Sequence, residues 1–361
     1  MKKIFSLIIC FSVLLFALRL DINAEDTVSI KVGNTDIINT AVDGIRYEDG
    51  KLYLNNFTAS EQLKIEGIDR IEIVVTGENR IVCKNGTPLS AMHTNVTILG
   101  GGKLTVLNSN KTAVPALSYG NLYGCAIYST GMTVTDNTEV FAETYAIDGT
   151  TILMGFYAVS TKEEGRELIV KDGARLIVRS NKDGIAVDAD YTTIDNGYIY
   201  GKGGNAGFFG ETLTVKNGGV GEFVSDNIGI YSSCVEVLKN STLSGTGDFY
   251  GAYVHNGDII ISGGTLSGIV TGKYEYANSG TYTVGVLCFC DIDISNGGTL
   301  IGKSEQKYAD GGVVAYKELR QSTSSKIIAG ENCRLATTPL EIIFYEDYSS
   351  GESITVTETI I

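Results

Sequence analysis

The sequence predicts an all-β chain wound as a single-stranded parallel β-helix, a solenoid of about ten rungs, and three observations carry that prediction. First, one phrase recurs: apolar, any residue, apolar, then a short Gly/Asn/Asp-rich stretch, then another apolar residue. It reads Ile73-Val74-Val75…Ile81, Val96-Thr97-Ile98…Leu104, Met132-Thr133-Val134…Val140, Leu168-Ile169-Val170…Leu176 and Thr192-Thr193-Ile194…Ile199. It continues with Leu213-Thr214-Val215…Val220, Val235-Glu236-Val237…Leu243, Ile259-Ile260-Ile261…Leu266, Ile292-Asp293-Ile294…Leu300 and a degenerate Lys326-Ile327-Ile328…Leu335. Second, the step between third positions never falls below 21 residues (Ile194 to Val215) and rises to 36 (Ile98 to Val134). A variable period above a floor marks a solenoid whose loops differ in length. Third, the 361 residues include 44 Gly, 3 Pro and no Trp, which suits strands joined by frequent turns.

The elements follow in order. Met1-Lys2-Lys3 is basic, Ile4 to Leu18 is apolar, and Ala24 offers a small residue for cleavage, so residues 1–24 read as a signal peptide. Residues 25–50 are expected to form an N-terminal cap and residues 51–345 the β-helix. Residues 346–361, with Ser353 to Ile361, are expected to form a C-terminal closing segment, because a solenoid has two open ends to cover.

Within a rung, alternation places the first and third phrase residues inside. The turn that follows often carries Asn or Gly two residues after the third position: Asn196, Asn217, Gly263 and Asn296. Such residues tolerate left-handed backbone angles, which a sharp corner demands. A second strand begins at the next Leu or Val. A third is led by Gly or Ala, as in Ala126-Ile-Tyr128, Gly184-Ile-Ala186, Gly229-Ile-Tyr231, Gly251-Ala-Tyr253, Gly285-Val-Leu287 and Gly312-Val-Val314. Three strands and three corners in 21 residues leave no room for a helix in each repeat. The longer repeats place inserts near residues 108–124, 141–165, 270–283 and 303–311.

The net formal charge of −14 disfavours nucleic acid and anionic lipid as partners. It also repels polyuronates unless a cation bridges them. The cysteines beyond Cys10 are Cys83, Cys125, Cys234, Cys288, Cys290 and Cys333. Cys288 and Cys290 share a strand face and do not bond easily. The set is therefore read as reduced, buried small apolar residues. No Cys/His cluster suggests zinc.

The rung pattern resembles right-handed parallel β-helices of the pectate-lyase-like kind. Asp258-Ile-Ile-Ile-Ser-Gly-Gly-Thr-Leu266 and Asp291-Ile-Asp-Ile-Ser-Asn-Gly-Gly-Thr-Leu300 most resemble exported bacterial β-helix proteins described as carbohydrate-binding domains. The resemblance spans roughly residues 50–340. It implies a secreted or cell-surface location, and calcium that bridges acidic sugars.

Three constellations could carry chemistry. Asp258 and Asp291 occupy equivalent positions on consecutive repeats, and Asp293 lies two residues further on the same face. Like charges so close repel unless a cation sits among them, and hard oxygen ligands favour calcium. The plain alternative is solvated surface Asp. Asn181 to Asp190, with Asp183, Asp188 and Asp190, offers paired carboxylates of the kind that cleave glycosidic bonds. The chain's two histidines, His93 and His255, and its lack of an Arg-Ile-Lys string make that match thin. Tyr128, Tyr231 and Tyr253 share one offset in the third strand. Pointing outward they could stack on sugar rings; pointing inward they are core.

The leading expectation is an exported, non-catalytic carbohydrate-binding or adhesion protein, with calcium as candidate cofactor and a polysaccharide as partner. The alternatives are a structural or host-contact surface protein that binds another protein, and a polysaccharide lyase or glycoside hydrolase. No nucleic-acid partner is expected, and no membrane insertion once the signal is removed.

Overall fold

A computed structural model describes residues 28–84, 86–111, 124–146, 150–154, 166–181, 183–272, 283–304, 311–329 and 335–337. The expected signal peptide, the closing segment and most of the insert residues lie outside them. The described chain is all-β, with no helix, and coils into a parallel β-solenoid of about ten turns. No helix among the described residues is long and apolar enough to cross a membrane.

Each turn lays one strand on each of three faces. The first face carries the recurring phrase and runs from Lys51–Asn55 to Leu319–Gln321. The second runs from Thr58–Ala59 to Lys326–Ala329, and the third from Leu63–Glu66 to Leu335–Thr337. All three ladders are parallel and in register, so equivalent residues of successive turns form rows along the axis.

The alternation falls as the phrase requires. Ile259 and Ile261 are fully buried while Ile260 between them faces outward. Leu168/Val170, Val235/Val237 and Ile292/Ile294 repeat the pattern. Their side chains join one core that runs the length of the coil.

The first corner is a left-handed residue two places after the phrase. Gly77, Gly100, Asp136, Asp172, Asn196, Asn217, Gly263 and Asn296 all have φ between 51° and 107°. In the turn after Val237 it comes one residue later, at Asn240 (φ 62°). Asn side chains also tie turn to turn. Asn217 Nδ2 donates to Asp195 Oδ1 at 2.6 Å, and Asn296 Nδ2 to Ser262 Oγ at 2.8 Å.

Two expectations need correction. Lys326–Ala329 does not continue the first face. It pairs with Thr299–Ser304 on the second, and Leu319–Gln321 is the first-face strand of that turn. The third corner is also softer than a turn. Ala206–Lys216 and Ile228–Leu238 are each one strand that covers two faces, with Glu211 and Ser233 skipped in the pairing register. A bulge of this kind bends a strand without breaking it.

At the start of the coil, Ser29–Val32 pairs antiparallel with Leu63–Glu66, and Ile45–Glu48 with Lys51–Asn55. These pairings cover open strand edges of the first turn.

The glycine at the head of the third strand has a definite role. A Cβ on Gly245 would lie 2.1 Å from the Gly251 carbonyl, and one on Gly268 would lie 2.0 Å from that of Gly285. Gly302 stands equally close to Gly312. Here the second and third faces meet backbone to backbone.

Burial pushes the Cys125 and Cys288 thiols up to about 12. Cys125, Cys234, Cys288 and Cys290 form no disulfide. Cys333 lies outside the described residues.

Candidate functional site

The in-register ladders decide which side chains meet. On the third face, one outward row reads Asp188, Phe209, Tyr231, Tyr253 and Leu287. Phe209 stacks on Tyr231 at 4.9 Å between ring centroids and 8° between planes, and Tyr231 on Tyr253 at 5.2 Å and 10°. Beside it, His255 lies 4.8 Å from the Tyr231 ring, Phe289 meets Tyr253 edge-on at 5.6 Å, and Tyr316 stacks on Phe289 at 4.4 Å. The rings continue as one strip along the axis.

Tyr231 and Tyr253 therefore lie together, half-buried on the outside of the coil. Tyr128 shares their position relative to the core but not their surroundings. It is buried, packed with Cys125 and Met92 in a cluster apart from the main core. Burial pushes its hydroxyl up to about 12.

Because the rings stack on one another, most of their faces are already covered. What they present outward is edges and hydroxyl groups. Phe209 ends the stack and is 40% exposed. Its second face looks along the axis toward the turn of Asp188, where a short carboxylate replaces a ring.

The corner beside Phe209 gathers charge. Arg166 reaches Asp190 Oδ1 at 2.9 Å and Asp188 Oδ1 at 3.5 Å, all three side chains being largely shielded from solvent. Burial raises the Asp188 carboxyl to about 6; Arg166 opposes the rise and Asp190 adds to it. Burial raises Asp190 as well, against Arg166 and with help from Glu211. The next turns continue the corner with Glu211, Ser233 and His255. Ser233 Oγ donates to Glu211 Oε2 at 2.5 Å and lies 3.3 Å from His255 Nε2, while His255 Nδ1 lies 2.9 Å from the Ser232 carbonyl. That carbonyl can only accept, so Nδ1 carries a proton.

Sequence reading had singled out Asp188, Asp190 and His255 separately. It missed Arg166, Phe209, Glu211 and Ser233. Arg166, Glu211 and Ser233 had a readable signal, since each stands two residues before a phrase, as Asp190 does. Of the other residues noted in the sequence, Asp183 is exposed and precedes the third-face strand Ile185–Asp188, at the end opposite this corner, and His93 is an exposed residue with a left-handed backbone (φ 64°).

The second acidic set lies on the first face. Asp258 and Asp291 stack on consecutive turns, as their spacing requires. Asp258 Oδ1 accepts from the Asp291 backbone N–H at 3.1 Å, and Asp291 Oδ1 from that of Glu318 at 3.2 Å. Each carboxylate thus caps the turn above it. Arg320 holds both oxygens of Asp293 at 3.0 and 3.1 Å and Asp291 Oδ2 at 2.9 Å, and its Nε donates to Glu318. The guanidinium stands where a bridging cation was expected. As placed, Asp258, Asp291 and Asp293 do not fit a calcium ion, and among the described residues no group of three acidic, His or Cys side chains is arranged to hold a metal.

No protein-family model, curated protein or solved structure matches this chain.

Proposed function

We propose that this chain is a non-catalytic glycan-binding protein whose third face is the binding surface. The observation that carries the reading is the aromatic strip ending in the open face of Phe209, beside a shielded Arg166–Asp188–Asp190 cluster. A sugar presents an apolar C–H face and an equatorial rim of hydroxyls. The Phe209 ring matches the first by stacking. Two carboxylates and a guanidinium match the second with charge-assisted hydrogen bonds. The Tyr231 and Tyr253 hydroxyls would meet further units of the same chain.

A glycan array with the purified chain, followed by calorimetry on Phe209→Ala and Tyr231→Ala, tests this. Binding that both variants weaken while melting temperature holds supports the reading. An array without any bound glycan, or affinities untouched by both variants, overturns it. The calcium-assisted form of the idea, resting on Asp258, Asp291 and Asp293, requires the ion to displace Arg320. The same titration with calcium and with chelator decides that form.

A second reading, glycan cleavage, has one observation in its favour. Asp188 keeps its proton to about pH 6 next to a second carboxylate, as a general acid must. New reducing ends that Asp188→Asn abolishes would replace the binding reading with this one.

A further inference from the structure

A shallow groove of about 700 Å³ lies on the first face, away from the aromatic strip. Its floor is one row of outward side chains on successive turns, Thr97, Thr133, Thr193 and Thr214, interrupted by Ile169. Tyr191 stands beside this row and is 54% exposed, an unusual position for a large ring. Arg70 and Glu167 lie in the row of Tyr191 and bring one charge of each sign. The groove is therefore neutral overall, on a chain of net charge −14. Gly131 deepens it, since a Cβ there would lie 2.6 Å from Asn95 Oδ1.

We propose that this groove binds a neutral, linear polysaccharide laid along the solenoid axis, at a site separate from the third face. Turns repeat about every 4.8 Å, comparable with the length of one sugar unit in an extended chain. Thr97, Thr133 and Thr193 then offer hydroxyls to the sugar's hydroxyls and methyls to its C–H surface, while Thr214, which donates to Glu236 Oε2 at 3.3 Å, can still accept. Tyr191 supplies the ring for one unit to stack on. A polyuronate or a polyamine would bring a charge with every unit and find only a single charged residue of opposite sign, so both are disfavoured. The ligand class is shared with the third-face reading, but none of the residues are.

The test uses the full chain and three probes: linear β-1,4-glucan oligosaccharides, polygalacturonate and polyglucosamine. Neutral oligosaccharide should bind in preference to both charged polymers. Tyr191→Ala should weaken it about tenfold, Tyr191→Phe should retain it, and Thr193→Lys should block it by filling the groove. Phe209→Ala should leave it unchanged, which separates this site from the third face. Circular dichroism and melting of each variant show that the fold is intact. The proposal is overturned if the neutral oligosaccharide fails to bind, if it binds equally to Tyr191→Ala and Thr193→Lys, or if only Phe209→Ala weakens it.

Discussion

The early and late turns of this solenoid solve the same packing problem in different ways. On the second face, the inward position filled by Val106, Ala142 and Val178 in the early turns becomes Gly201, Gly245, Gly268 and Gly302 in the later ones. Early turns keep the second and third faces apart and fill the gap with side chains. Late turns close the gap and set backbone against backbone. One late turn departs from this. Phe223 holds the same position between Gly201 and Gly245, and its ring occupies the space over Gly201 and Gly221 while it packs on Phe208 at 5.3 Å. A solenoid can therefore change its cross-section without changing its register, provided that what one row loses in volume a neighbouring row supplies.

The comparison is broken most directly at the glycines. Gly268→Ala should cost about 3 kcal/mol or more, or prevent folding, because its Cβ would enter the Gly285 backbone and backbone cannot swing aside. Val178→Ala, at the same position in an early turn, should cost only about 2 kcal/mol through lost burial and a small cavity. Urea denaturation of the two variants checks the ordering; equal losses would mean that the two halves pack alike.

Phe223→Ala should cost about 3–5 kcal/mol, since a whole ring is removed between glycines. Placing Gly221→Val in that background should recover part of the loss, a coupling that a double-mutant cycle measures.

The junction between the halves carries the titration. Asp188 has a folded pKa of about 6, above the ordinary carboxylate value of 3.8. Between those values the folded chain binds more protons than the unfolded one, so stability falls as pH rises from about 4 to 6. Asp188→Asn should therefore be more stable than the parent at pH 7, by up to about 3 kcal/mol. The gap should close below about pH 4. Melting curves across that range would show it, and a constant difference at every pH would refute the assignment.

The smallest effect belongs to the corners that both halves share. Asn217→Ala should cost about 1 kcal/mol for holding alanine at φ 54°. Asn217→Gly should be close to neutral in backbone terms.

The coil itself was legible because its phrase couples period-two alternation to a left-handed residue at a fixed offset, and both act within one turn. The close contact of the faces was not. Gly229, Gly251 and Gly285 stand out as leaders of the third strand, but their partners Gly245 and Gly268 sit in a different strand and break no local pattern. The site was legible in pieces. Tyr231 and Tyr253 are one turn apart with the same offset, so their stacking follows from register. Tyr128 has that offset too, yet is buried, because what covers a row is not written in the row. Arg320 escaped notice because Leu319–Gln321 was not recognised as a first-face strand, although register alone then sets it against Asp293.

The third corner has a further consequence, for how such a surface can change over generations. Where a strand bends through a bulge, the residue at the bend is skipped by the ladder on both sides, as Glu211 and Ser233 are. The backbone ladder therefore makes no demand on its side chain. Glu211→Ala or Ser233→Ala should cost only the side-chain hydrogen bond between them, about 1 kcal/mol. A lineage could exchange acid for hydroxyl or imidazole there, one turn at a time, and shift what it recognises while the coil beneath is inherited unchanged.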